Sequence, residues 1–235
     1  MSFANPLDRP ADVSSIAPPL HLLIFAKAPR YGYCKTRLAR RLGHCRATRI
    51  YRALLEHAVL HARRAHHGPV IVVCAPDTRH PFFQRMARRH DVRLVRQPRG
   101  DLGRRMHRAL ATATTDGAPA ILMGSDQPVL EDGWLADARR SLDVEDAWLA
   151  PCTDGGYWAI GLRRAAAGVF RGPRWSSARV ARHTRTRLRA LAGPWHEWHP
   201  RRDIDDARDW LRLSAPRRSA LSRQATMPGI RFVRA

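Results

Sequence analysis

Ala120-Ile121-Leu122-Met123 follows a proline and runs directly into Gly124-Ser125-Asp126-Gln127-Pro128. A short, continuous apolar run bounded by turn residues reads as a strand buried on both faces, of the kind found in the middle of a parallel sheet. The residue that leaves such a strand at its carboxyl end points into the crevice where open α/β sheets bind ligands. Here that residue is Asp126, and Pro128 stiffens the turn behind it. A second reading of Asp126, as a side-chain cap of its own turn, is equally open from this stretch.

The same pattern recurs along the chain. His21 to Phe25, Val70 to Cys74, Val92 to Val95 and Ala147 to Ala150 are apolar runs of strand length. Segments of helical period lie between them: Arg46 to Arg64, Pro81 to Arg89, a helix from about Asp101 to Thr115, and Gly133 to Leu142. Strand and helix alternating without an internal repeat predict an α/β domain, a mostly parallel sheet covered by helices in three layers. The residues after Gly156 alternate as a strand does, Trp175-Ser176-Ser177 reads as a helix start, and Trp195 to His199 as an edge strand. Asp203 to Leu211 reads as the last helix, capped by Asp205 or Asp206. The expected organisation is one domain over residues 20–213, a proline-rich disordered leader over 1–19, and a basic, low-order tail over 214–235.

The formal net charge is +22, yet lysine occurs only at Lys27 and Lys35. Arginine therefore serves wherever a generic cation is enough, and the charge is spread over helix faces such as Arg40-Arg41 and Arg139-Arg140. Such a charge attracts polyanions, but no helix-turn-helix, RNA-binding sheet or zinc-finger spacing turns attraction into recognition. Specific nucleic-acid binding is not expected. His57 and His61 have the i, i+4 spacing of metal ligands, but no third ligand stands nearby and they read as solvated. The four cysteines (Cys34, Cys45, Cys74, Cys152) have no paired spacing and read as free thiols of a cytoplasmic protein. No apolar run is long enough to span a membrane.

Chemistry-bearing residues cluster at strand ends. After the first strand come Lys27, Arg30, Lys35 and Arg37, around a loop with one proline and one glycine. Strand, loop and helix start in that order commonly hold the phosphates of a nucleotide, and two lysines there suggest a need for a compact ammonium. Gly100 and Gly103 flank Asp101-Leu102, where backbone can approach a ligand, while Asp101 also suits a helix N-cap. Asp154-Gly155-Gly156 makes a tight turn with room for a substrate, and Tyr157 or Trp158 could stack on a sugar or pack in the core. A carboxylate from Asp203 or Asp205 brought to face Asp126 would complete an oxygen site for Mg²⁺ or Mn²⁺.

Five blocks then resemble one family, the bacterial GT-A-type glycosyltransferases that include proteins assigned to arsenosugar biosynthesis. The blocks are Phe25-Ala26-Lys27-Ala28-Pro29 with Lys35-Thr36-Arg37-Leu38, Gly100-Asp101-Leu102-Gly103, Gly124-Ser125-Asp126-Gln127-Pro128, Asp154-Gly155-Gly156-Tyr157 with Gly161-Leu162, and Trp175-Ser176 with Asp203-Ile204-Asp205. The resemblance implies a nucleotide-diphospho-sugar transferase fold, with Asp126 at the position of the metal-binding acidic motif, although Gly-Ser-Asp stands there in place of a full Asp-X-Asp. It implies sugar transfer from a nucleotide-sugar donor to a small-molecule acceptor. Phosphate would lie on Lys27, Arg30, Lys35 and Arg37, and Mg²⁺ or Mn²⁺ on Asp126, Asp205 and Asp203. Asp154 would serve as general base or hydroxyl anchor, while Asp101, Gly103, Gly155, Gly156, Tyr157 and Trp175 would line the substrate. The block Lys35-Thr36-Arg37-Leu38 also resembles the 2-phospholactate guanylyltransferases, which implies the alternative of nucleotidyl transfer from a nucleoside triphosphate to a phosphorylated metabolite. A third reading is a non-catalytic polyanion-binding protein.

Overall fold

The computed structural model describes residues 19–131, 133–191 and 193–225. The expected leader over 1–19 thus lies outside the described residues except for Pro19, as do the last ten residues of the expected tail.

Seven strands form one sheet: β1 (His21–Lys27), β2 (Val70–Ala75), β3 (Arg93–Arg96), β4 (Ala120–Met123), β5 (Ala147–Pro151), β6 (Tyr157–Leu162) and β7 (Trp195–Glu197). Their order is β3-β2-β1-β4-β6-β5-β7. β6 alone runs against its neighbours, pairing antiparallel with both β4 and β5, while every other pairing is parallel. β4 has its four residues buried, as its apolar run requires. The helices are α1 (Thr36–Leu42), α2 (His44–Ala65), α3 (Pro81–His90), α4 (Leu102–Ala113), α5 (Trp134–Val144), α6 (Val180–Leu191), α7 (Ala207–Arg212) and α8 (Ala215–Ala225).

Side chains alternate across each strand, so the sheet carries a core on each face. Leu22, Ile24, Ile121 and Met123 face α2, α3 and α5, where Trp134, Trp148 and Trp158 pack edge to face or tilted, with centroids 5.2 to 6.1 Å apart. Leu23, Ala120 and Leu122 face α4, α6 and a short 3-10 turn at Ala167–Phe170. A third cluster joins Leu38 and Leu54 to Ile204, Trp210 and Leu221, and thereby holds the 204–221 segment against α1 and α2.

Three expectations need correction. The helix expected from Trp175 begins at Val180, because Ser176 adopts φ +66° and turns the chain first. The tail expected from residue 214 is helical over Ala215–Ala225, and Leu221 is buried against the third cluster. His57 and His61 are packing residues: His61 stacks on Trp134 and accepts its indole N–H at 3.1 Å, and burial pushes His57 down to about 4.

Candidate functional site

Parallel strands place their carboxyl ends along one edge of the sheet. At that edge stand Lys27 at the end of β1, Asp126 after β4, and the turn Cys152–Gly156 that joins β5 to β6. The chain after β7 reaches the same edge and pairs with β5, since Arg201 N–H donates to Pro151 at 3.0 Å and Thr153 N–H to Arg201 at 2.9 Å. Asp203 is thereby set beside Asp154, and Ile204 N–H donates to the Asp126 carbonyl at 3.1 Å.

Lys35 ties these segments together. Its ammonium lies 2.8 Å from the Asp126 carboxylate and donates to the Ile204 carbonyl, and its side chain is 5% exposed against 39% for Asp126. The residue sits at φ +48° ahead of α1, a left-handed conformation that costs a non-glycine residue about 1 kcal/mol or more. At the end of β1, the buried Tyr51 hydroxyl donates to the Lys27 carbonyl at 3.0 Å and accepts the Lys27 amide at 2.8 Å. Burial, and then the Asp126 charge, push the Tyr51 phenol far up, so it stays a neutral donor that fixes the end of β1.

Oxygen and sulfur atoms of Cys152, Asp154 and Asp203 lie within 4.8 Å of one another. Asp154 is exposed, and its Oδ1 accepts the Gly156 amide at 2.8 Å. Burial, followed by the Asp154 charge, pushes Asp203 up to about 6, with Asp126 and Asp205 adding to the effect and Lys35 opposing it. Cys152 is buried and its thiol is pushed well up by that burial, so it stays protonated. The group therefore offers two carboxylates and a neutral thiol.

A carboxyl raised from about 4 in the unfolded chain to about 6 in the fold favours folding in its protonated form. Its cost is absent below about pH 4, grows between about pH 4 and 6, and is fully present above. Asp203→Asn should thus gain on the wild type across that window and hold its advantage to higher pH, as urea midpoints at pH 4 and pH 7.5 would show. An advantage that is the same at both values would mean that Asp203 is not the titrating group.

Several expected contacts are arranged otherwise. Lys35 faces Asp126 where phosphate was expected, and Arg37 is paired with Asp205 at 2.7 Å. Of the three acids expected to hold a metal, only Asp203 is in the close trio; Asp126 and Asp205 stand outside it, and Asp154 and Cys152 complete it. Tyr157 belongs to the core: its hydroxyl donates to Met106 Sδ at 3.7 Å, and burial pushes its phenol up. Two motif glycines make room for this chain's own backbone. A Cβ on Gly103 would stand 2.5 Å from the Phe170 carbonyl oxygen, and one on Gly155, at φ +90°, would stand 2.0 Å from that of Ala178. Gly156 would bring its Cβ to 3.2 Å from Asp154 Oδ1. Asp101 caps α4 by accepting the Arg104 amide at 2.9 Å. Lys27 and Arg30 remain exposed.

The sequence reading missed Cys152, Tyr51 and Gln97. Buried Gln97 donates to Ala26 and Val73 carbonyls at 3.2 and 3.0 Å and accepts from Arg105 at 2.9 Å, which fixes β3 against the end of β1. The available signal for it was a polar residue placed between a strand and Pro98.

The sheet order, its one reversed strand and an acidic edge at the strand ends define a nucleotide-diphospho-sugar transferase type of fold. The chain belongs to the family described as an uncharacterized protein conserved in bacteria (DUF2064), which matches residues 58–177. That span includes Asp126 and Asp154 and leaves Lys35 and Asp203 outside it. A structure titled "putative nucleotide-diphospho-sugar transferase" from Desulfovibrio desulfuricans G20 is 29% identical, with a TM-score of 0.73, over 88% of this chain and 97% of that one. Two more distant structures share the fold. An inositol-1-phosphate CTP transferase from T. maritima has a TM-score of 0.55 and 8% identity over 89% of this chain and 98% of its own. A cytidylyltransferase from Leptospira borgpetersenii has a TM-score of 0.51 and 12% identity over 82% of this chain and 84% of its own. A search of curated proteins found no match. No helix among the described residues is long and apolar enough to cross a membrane.

Proposed function

We propose that the protein is a transferase that moves a sugar from a nucleotide-sugar donor to a small-molecule acceptor, at the edge where Asp126, Asp154 and Asp203 meet. The observation that carries this reading is the convergence of those acids from three separate segments, with the 5%-exposed Lys35 ammonium paired to Asp126 and acting on Asp203. The 29% identity with the Desulfovibrio structure, which is titled for nucleotide-diphospho-sugar transfer, supports the same class.

The donor set fits a divalent cation. Asp154 and Asp203 present hard oxygen ligands close together, as Mg²⁺ or Mn²⁺ prefers, and the neutral thiol of Cys152 is no competitor for them. When bound, such an ion neutralises charge on a diphosphate leaving group. The chain's own residues do the rest. Lys35 holds Asp126 and the 203–205 segment in place, and the exposed Lys27 and Arg30 are available to phosphate oxygens. Two of the four cations expected around phosphate, Lys35 and Arg37, are engaged by carboxylates. What remains suits a diphosphate better than a triphosphate, which favours sugar transfer over nucleotidyl transfer.

The test is a panel of nucleotide sugars and nucleoside triphosphates, with Mg²⁺ or Mn²⁺, followed by melting temperature and by product. A nucleoside diphosphate should stabilise at least as well as the matching triphosphate, and turnover should release nucleoside diphosphate. Release of pyrophosphate, with the nucleotide found on an acceptor, would overturn sugar transfer. Binding of every polyanion, lost steeply with salt and without turnover, would overturn catalysis altogether.

A further inference from the structure

A groove of about 750 Å³ lies between α4 and the segment that follows β6, with Arg104, His107, Arg108, Arg171, Phe170 and Trp175 on its walls. None of the roles set out above uses these cations. Arg104, His107 and Arg108 are spaced i, i+3, i+4, so they share one face of α4. Arg171 comes from the opposite wall, 63 residues later than Arg108. Asp101 is the one carboxylate of the lining, and it is partly committed, since it caps α4 and lies 3.6 Å from Arg104. Arg108 is braced by its bond to the Arg99 carbonyl at 3.1 Å, and the His107 ring is tilted against Phe170 at 6.4 Å. Trp175 lies against Gly103, half-buried, with part of its indole on the groove.

This groove differs chemically from the acidic edge. Three guanidiniums on two facing walls match a compact dianion, for which arginine's planar fork is suited. The Phe170 and Trp175 rings give the body of such a ligand an apolar surface. The groove also lies close to the acids. Trp175 precedes Ala178 by three residues, at most about 11 Å of chain. Ala178 covers Gly155, next to Asp154, and Ala181 N–H donates to the Gly155 carbonyl at 2.8 Å.

We propose that this groove is the acceptor site and that it takes a phosphomonoester, with the phosphate on Arg104, Arg108 and Arg171 and the organic part on Trp175 and Phe170. The inference rests on the transferase reading for the word acceptor, while the binding itself is measurable without turnover. A purine or pyrimidine would call for neutral amide partners, and this lining offers cations instead.

Phenyl phosphate is the probe, with inorganic phosphate and phenol as its two halves, titrated by calorimetry and tryptophan fluorescence on the full chain. Phenyl phosphate should bind more tightly than either half and quench fluorescence. Arg108→Ala and Arg171→Ala should each weaken it at least tenfold, and Trp175→Phe should remove most of the quenching while phosphate still binds. The melting temperature without ligand and the far-ultraviolet circular dichroism should match wild type in all three variants, and this shows them folded. Arg88→Ala/Arg93→Ala removes two exposed charges on α3 and β3 and should leave the affinity as in wild type. The proposal is overturned if that control weakens binding as much as the groove variants do, because the charge is then diffuse. It is also overturned if a nucleoside diphosphate displaces phenyl phosphate one for one, because the groove is then the nucleotide's. If the groove binds as expected and no sugar donor is turned over, the transferase reading fails and the anion site stands.

Discussion

Asp126→Ala should cost about 3 kcal/mol of stability, the lower end of what an orphaned buried ion costs, and lower the melting temperature by roughly 6 to 12 °C. The reason is an asymmetry within the ion pair. Lys35 is 5% exposed and Asp126 is 39% exposed, so removing the carboxylate strands an ammonium that water hardly reaches. Among the described residues it would keep its hydrogen bond to the Ile204 carbonyl and the weaker, longer-range pull of Asp203. Lys35→Met leaves the more hydrated partner behind and should cost about half as much, because a half-exposed carboxylate recovers much of its hydration. The double variant should be more stable than Asp126→Ala alone, since neither charge is then unpaired. Urea unfolding of the four proteins measures this cycle. Equal single effects that simply add would show that the two charges do not act on each other.

Gly155→Ala should be more damaging still, at about 4 kcal/mol. Two independent costs meet there: a side chain at φ +90°, and a Cβ placed 2.0 Å from the Ala178 carbonyl oxygen. Each is of the order of 1 to 3 kcal/mol. Gly117 separates them, because it has φ +82° and nothing within 4 Å of its would-be Cβ. Gly117→Ala should therefore show the conformational cost alone, about 1 kcal/mol. Relieving the clash must also move the turn that carries Asp154, and a displacement of about 1 Å near reacting groups can cost on the order of a hundredfold in rate. If Gly155→Ala melts no lower than Gly117→Ala, the close approach of the 178 segment is wrong.

The strands and most helices were legible because burial writes them into the sequence. Ala120 to Met123 could be placed at the centre of a sheet from four residues and their flanks, and Asp126 at its open end followed. Asp101 as an N-cap and Asp206 as the cap of α7 were equally readable, since their partners are within three residues. What could not be read were pairings between distant segments. Nothing local to Lys35 says that its ammonium meets Asp126, 91 residues on, and a lysine in a loop before a helix looks the same whether it faces phosphate or carboxylate. Gly103 and Gly155 announced a close approach of backbone without saying whose backbone approaches. Tyr157 alternates correctly as a strand residue, but which face lay over α4 and α6 depended on β6 slotting between β4 and β5. α8 was hidden by its composition, in which, among the described residues, Leu221 is the one side chain buried against the third cluster.

The seating of residues 170–178 has a consequence for how such a protein diversifies. At both ends of that strap a carbonyl oxygen closes on a glycine, Phe170 on Gly103 and Ala178 on Gly155, and the Phe170 and Trp175 side chains pack on the second core cluster. A strap seated at those points keeps its course whatever side chains it carries from 171 to 174. Arg171 and its neighbours up to Arg174 are thus free to be exchanged without redrawing the frame around the acids. Relatives that keep the two glycines could inherit one reaction and adopt different acceptors, with the change confined to a handful of interchangeable positions.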